Sequence, residues 1–210
     1  MTGRKERADA VRNREAVLAA ADKLFARHQS PGSVSMDEIA AAAGVGKGTL
    51  FRRFGDRTGL IRALADLHTA ELRDAVENGP PPLGPATPPR ERVAAILDAL
   101  LRFKLDSRYL ALALESPADG SPYRTTYYDW WHTVIRDLLE RLPGDGHGDS
   151  GFTAHALLAA TRADLVEHLA ADGDTPDLIS QRLAAFVAAV LSSSALPSPA
   201  PSASASGGAR

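Results

Sequence analysis

The chain has 210 residues, 44% hydrophobic and 24% charged, without a single cysteine; this allows a real core in one domain or two small ones and excludes disulfide staples and thiolate metal sites. Its formal charge of −2 hides an asymmetry. Residues 1–62 hold 12 Lys/Arg against 7 Asp/Glu, a net +5, and the remainder holds 12 against 19, a net −7; a basic head on an acidic body is what contact with phosphate at one end requires.

The residues through Arg14 are charged and polar, with no apolar signal core behind them and no apolar run long enough to span a bilayer. With the lack of thiols, this points to a reducing cytosol. Nearly every long segment then reads as helix, from apolar residues recurring at three- and four-residue spacings. The first helix is expected from about Ala10 to His28, with Val17, Leu18, Ala21, Leu24 and Phe25 on one face, stopped by Ser30-Pro31-Gly32. A second starts at Ser35 as N-cap, with Glu38 to complete a capping box and Val34 placed to staple against Ile39. Gly44 supplies the left-handed backbone of a tight turn. A third helix follows from about Gly46 to Phe54, and Asp56 caps a fourth reaching about Asn78.

Residues 79–89, rich in proline and glycine, read as an extended loop. A fifth helix carries Val93, Ile96, Leu97, Leu100, Leu101 and Phe103, and a short piece covers Tyr109–Leu114. Pro117 and Gly120 break the chain before an aromatic helix expected over 121–142. After a glycine- and aspartate-rich loop, two further helices are expected over 150–171 and 176–194, the last opened by Thr175 as N-cap and Pro176. From 195 onward the Ser/Ala/Pro/Gly composition reads as a disordered tail. The fold class is therefore all-α, with about nine helices.

The informative stretch runs from Met36 to Phe54. Ile39, Ala40, Ala43, Val45, Leu50 and Phe54 form the inner surface of two crossed helices. Outward stand Lys47, Gly48, Thr49, Phe51, Arg52 and Arg53, which suits a helix entering the major groove: cations for phosphate and guanine edges, small residues where backbone must approach. On spacing and composition alone, an ordinary helical hairpin with a solvated basic face fits as well.

Residues 10–67 resemble the DNA-binding domain of the TetR-like (tetracycline-repressor-type) transcriptional regulators. The matching features are Ala20-Ala21…Leu24-Phe25, Ile39-Ala40…Ala43-Gly44-Val45, Lys47-Gly48-Thr49-Leu50-Phe51…Phe54 and Arg57…Leu60. The resemblance implies a helix-turn-helix head over 1–62 with a basic N-terminal arm (Arg4, Lys5, Arg7, Arg12, Arg14), and a ligand-binding and dimerisation body over 63–194. It implies a repressor that binds a palindromic operator as a homodimer, through its last two long helices, and is released by a small molecule, for which the aromatic residues of the body suit an aromatic or amphipathic compound. The expected DNA-facing set is Ser35, Lys47, Gly48, Thr49, Phe51, Arg52, Arg53 and Arg57. Two residues depart from the family pattern. Gly46 stands where a serine is usual and Phe51 where a tyrosine is usual, so two hydroxyls available to cap or to phosphate are missing.

The aromatic helix carries Tyr123, Tyr127, Tyr128, Trp130 and Trp131. Rings with polar handles suit a ligand cavity, and plain core packing is the alternative. With Phe103 and Tyr109, and with His155 and Arg162 as polar contacts, Tyr123, Tyr127, Trp130 and Trp131 make the expected effector set. Six histidines are scattered, none three or four from another, and no carboxylate pattern completes a metal site. No enzymatic activity, cofactor or metal is expected.

Overall fold

Local signals set most helix boundaries in the computed structural model, which describes residues 2–28, 34–115, 121–142 and 149–192, apart from the side chains of 2–8 and 122. The elements are α1 (Thr2–His28), α2 (Met36–Ala42), α3 (Lys47–Phe54), α4 (Arg57–Asn78), α5 (Pro89–Asp106) and α6 (Arg108–Leu114). A 3-10 turn (Pro122–Arg124) leads into α7 (Thr126–Leu139), followed by α8 (Ser150–Ala159), α9 (Ala163–Ala171) and α10 (Pro176–Ser192). No strand occurs among the described residues, and no helix is long and apolar enough to cross a membrane.

The capping box forms as the sequence implies. The Glu38 N–H donates to Ser35 Oγ at 3.2 Å, and the Ser35 N–H donates back to Glu38 Oε2 at 2.7 Å. Gly44 takes φ 65°, and the Val45 N–H reaches the Ala40 carbonyl at 3.0 Å to close α2. Asp56 caps α4 by accepting from the Gly59 N–H at 2.8 Å. Thr175 accepts from the Leu178 N–H at 3.3 Å ahead of Pro176.

Three boundaries differ from the sequence reading. Helix α1 starts at Thr2 rather than near Ala10, because the Arg-, Lys- and Glu-rich residues before Ala10 are good helix formers. The side chains of Arg4, Lys5 and Arg7 lie outside the described residues, as do Ser30, Pro31, Gly32, Pro117, Gly120 and the tail from 195. The aromatic segment begins as a 3-10 turn, and α7 starts only at Thr126, with Thr125 as its cap accepting from the Tyr128 N–H at 3.1 Å. The single helix expected over 150–171 is two. Thr161 is buried and turns its hydroxyl back onto the Leu158 carbonyl at 2.9 Å, and Arg162 adopts an extended backbone. The Ala163 N–H that opens α9 donates to Glu115 Oε2 at 2.8 Å, so a carboxylate from α6 restarts the helix.

Two apolar cores result. One joins Val17, Leu18, Ala21 and Phe25 of α1 to Ile39, Leu50, Phe54 and the first half of α4, with Leu110 of α6 inserted. The other joins α5, α7, α8, α9 and α10 around Ile96, Leu100, Trp131, Ile135, Leu157 and Val187. Each fully buried Leu, Ile or Phe contributes about 1.5–3 kcal/mol. Helix α4 belongs to both cores, with Ile61 and Ala65 in the first and Val76 in the second. The proline-rich loop is tied down by Arg92, whose guanidinium donates to the carbonyls of Leu83, at 2.7 Å, and Val76.

Candidate functional site

Helix α3 buries only Leu50 and Phe54 and turns the rest of its surface outward. Lys47, Gly48, Phe51, Arg52 and Arg53 are exposed and Thr49 is half-buried, so the structure gathers the expected set on one open face. Lys47 pairs with Asp37 of α2 at 2.7 Å and sits 6.0 Å from the Phe51 ring centroid. Both partners are largely exposed, and such a pair is worth about 0–1 kcal/mol, so an incoming phosphate can replace Asp37. Arg53 donates to the Ala10 carbonyl of α1. Gly46 leaves α3 without a side-chain cap, as the departure from the family pattern implies.

Gly48 is the telling residue of this face. A Cβ placed there would meet nothing within 4 Å, so packing does not require glycine. Gly48 stands in the first turn of α3, where glycine costs part of the about 1 kcal/mol that it costs relative to alanine in a helix interior. An uncompensated cost on an exposed helix fits a surface where another molecule must approach the backbone.

Two further members of the expected set are engaged within the fold. Ser35 is held on both sides by the capping box. Arg57 donates to the Val34 carbonyl at 3.0 Å and lies 5.7 Å from the Phe25 ring centroid, joining the start of α4 to α1. Its second terminal nitrogen is buried without a partner.

The body holds a cavity of about 280 Å³, at the small end of the range for small-molecule sites. Its walls combine Ile61, Arg62, Ala65 and Asp66 of α4 with Leu100 and Lys104 of α5, Leu114 and Glu115 at the end of α6, and Leu158 and Arg162 around the α8–α9 break. Tyr123, Arg124, Tyr127, Tyr128 and Trp131 close it. Of the expected effector set, Tyr123, Tyr127, Trp131 and Arg162 line the cavity.

Phe103, Tyr109, Trp130 and His155 stand outside its walls. Phe103 and Tyr109 pack on the head-side core, and the Tyr109 hydroxyl donates to Asp22 of α1. Burial first, and then Asp22, raises the Tyr109 pKa far above the ordinary phenol value. Trp130 carries Arg73 over its ring at 4.7 Å. His155 stacks on His132 with centroids 4.0 Å apart, and its Nδ1 lies 2.6 Å from the Tyr128 hydroxyl. Burial and then the charge of His132 lower the His155 pKa. No group of three potential metal ligands occurs among the described residues.

Sequence reasoning missed Lys104 and Glu115, which form a buried ion pair at 2.6 Å in the cavity wall. The signal was faint: Lys104 follows Leu97, Leu100 and Leu101 on the buried stripe of α5. Burial lowers the Lys104 pKa, and Glu115 opposes that shift. Arg162 stays charged, its pKa raised chiefly by hydrogen bonds to Asp164 at 2.9 and 2.8 Å. Burial pushes the Tyr128 hydroxyl up to about 12 and Tyr127 higher still, so both remain protonated at neutral pH.

A model of the family "Bacterial regulatory proteins, tetR family" matches residues 17–64. A helix-turn-helix-type transcriptional regulator of Staphylococcus aureus strain USA300 is 31% identical over 142 residues, 64% of this chain and 71% of its own. The chain belongs to the tetR family. The transcriptional repressor LfrR of Mycolicibacterium smegmatis is 34% identical over 133 residues, and the match spans 62% of this tetR-family chain but only 65% of LfrR. Both relatives are transcriptional regulators, not enzymes.

Solved structures agree on the fold. A putative TetR-family regulator from Rhodococcus sp. superposes with TM-score 0.66 at 21% identity, covering 87% of this chain and all of that one. LfrR in complex with proflavine gives TM-score 0.53 at 25% identity, covering 85% and 96%.

Proposed function

We propose that this tetR-family protein is a ligand-responsive transcriptional repressor that works in the cytoplasm and binds a palindromic operator as a homodimer. Residues 1–62 form the DNA-binding head, 63–194 the effector-binding and dimerisation body, and 195–210 a tail. The observation that carries the reading is the α3 face, where Lys47, Thr49, Arg52 and Arg53 surround a Gly48 that no internal contact requires. Lys47, Thr49, Phe51 and Arg53 make the groove and phosphate contacts, with Gly48 and Arg52 between them, while Ser35 and Arg57, engaged within the fold, set α2 and α4 against that face.

One short recognition helix reads too few base pairs for useful specificity. Two heads about 34–36 Å apart address successive major grooves. Exposed Phe152, Leu165, Leu178 and Phe186 on α8, α9 and α10 support a partner subunit over these last helices.

The effector is an aromatic or amphipathic small molecule held in the cavity, and LfrR crystallised with proflavine supports that use of the fold. Ile61 and Ala65 line the cavity and also belong to the head-side core. A ligand that presses on this stretch of α4 therefore shifts the platform of α3, favouring a head spacing that no longer fits the operator.

Selection of bound duplexes from random DNA tests the reading. It should return a palindrome, bound less tightly as salt rises. In gel shifts on that site, Arg53→Ala should weaken binding by about 1–3 kcal/mol per half-site, and Arg7→Ala far less. Equal effects of the two substitutions would count against the assigned face.

A further inference from the structure

The side chains that line the cavity have a one-sided chemistry. Four are cationic (Arg62, Lys104, Arg124 and Arg162) and two are acidic (Asp66 and Glu115). Both oxygens of Glu115 are engaged: one holds Lys104 at 2.6 Å and the other accepts the Ala163 N–H at 2.8 Å. It has little left to offer an incoming cation. Asp66 is exposed on α4, which leaves it as the single unspent carboxylate of the wall.

The cations are less committed. Arg62 and Arg124 have no ion-pair partner among the described residues. Arg162 spends Nε and one terminal nitrogen on Asp164, while its other terminal nitrogen lies 3.4 Å from the Tyr123 hydroxyl. A second, independent observation points the same way. The Trp131 indole N–H, on a side chain only 2% exposed, faces the Tyr127 hydroxyl in a weak contact that leaves neither buried group with a well-formed hydrogen bond. The indole can only donate. A buried donor held so weakly is costly, and an oxygen acceptor on a ligand relieves that cost.

We infer that the effector is an organic anion, an aromatic or apolar body carrying a carboxylate or comparable acid group, selected over cationic and neutral analogues by Arg62, Arg124 and Arg162. The inference rests on the cavity being the effector site. The body of such a ligand lies against Ile61, Leu100, Leu158 and the tyrosine rings. Its acid group takes charge-assisted hydrogen bonds from guanidinium forks, which match a carboxylate bidentately. A cationic ligand of the same shape meets like charge and is desolvated without a counter-ion. The cavity volume, about 280 Å³, suits a body of one or two rings.

The test is a charge series on one aromatic body: 2-naphthoate, 2-naphthylmethanol and 2-naphthylmethylammonium, titrated calorimetrically into the full-length protein. Naphthoate should bind at least tenfold more tightly than the ammonium compound, with the alcohol between them. Arg124→Gln and Arg62→Gln change exposed side chains, so the fold tolerates them. At least one should weaken naphthoate fivefold or more while leaving the alcohol unchanged. Binding of the alcohol or the ammonium compound as tight as that of naphthoate, or no response of naphthoate to either substitution, overturns the anion inference and leaves the cavity reading standing. If none of the three binds at millimolar concentration, the cavity reading falls with it.

Discussion

Removing one member of the Lys104–Glu115 pair should cost far more than removing both. The ammonium and carboxylate lie 2.6 Å apart with side chains 8% and 15% exposed, so solvent screens them little. In Glu115→Gln, Lys104 loses its counter-ion, burial acts on it without that opposing charge, and its remaining named partner is Thr161 Oγ1 at 3.5 Å. Breaking a buried pair from one side costs about 3–5 kcal/mol, and about 3 kcal/mol is expected here because the glutamine carbonyl can still accept one bond. Lys104→Met should cost slightly less, because Glu115 keeps the Ala163 N–H. The double variant removes the charge while the amide still opens α9, so it should cost only about 1 kcal/mol. A double-mutant cycle by urea unfolding, at one protein concentration because dimers gain stability by mass action, should show a coupling of about 3 kcal/mol or more. Single costs that add to within about 0.5 kcal/mol, as for independent sites, would refute a buried, mutually dependent pair.

His155 has a folded pKa below its ordinary 6.5, from burial and then His132, opposed by Asp149. The unfolded chain therefore takes up this proton first. The stability it contributes is complete above 6.5 and is lost as pH falls through the lower folded value. Melting curves between pH 5 and 7.5 should slope less for His155→Phe than for the parent, and parallel slopes would remove His155 from the account. Gly44→Ala should lower stability by about 1–2 kcal/mol through its left-handed backbone alone, since the added methyl meets nothing within 4 Å at φ +65°; an unchanged melting temperature would contradict that geometry. Phe51→Tyr, on an exposed ring, and Gly46→Ser each restore a hydroxyl worth about 0.5–1.5 kcal/mol net. Each should tighten operator binding about two- to tenfold per half-site in gel shifts, and looser binding would mean that the missing hydroxyls are no loss.

The helix-turn-helix was legible in the sequence because everything that specifies it is local. Ser35 and Glu38 are three residues apart, Gly44 sits in its own turn, and Leu50 and Phe54 share a face by spacing alone. The body was legible only as helices. Periodicity tells which face of a helix is apolar and leaves open which neighbour covers it. Tyr109 thus went to the head-side core because α6 packs against α1 and α4, and Phe103, near the end of α5, joins the same core. His132 and His155, 23 positions apart, became a stacked pair because α7 and α8 lie side by side. Thr161 fits the helical pattern of its neighbours, and only the Glu115 carboxylate, distant in sequence, restarts the helix at Ala163. Sequence by itself determined the helix-turn-helix, the exposed face of α3 and the all-α class. Tertiary structure alone decided the cavity: Arg62, Lys104, Glu115, Arg124 and Arg162 come from five separate segments, and only packing brings their charges to one wall.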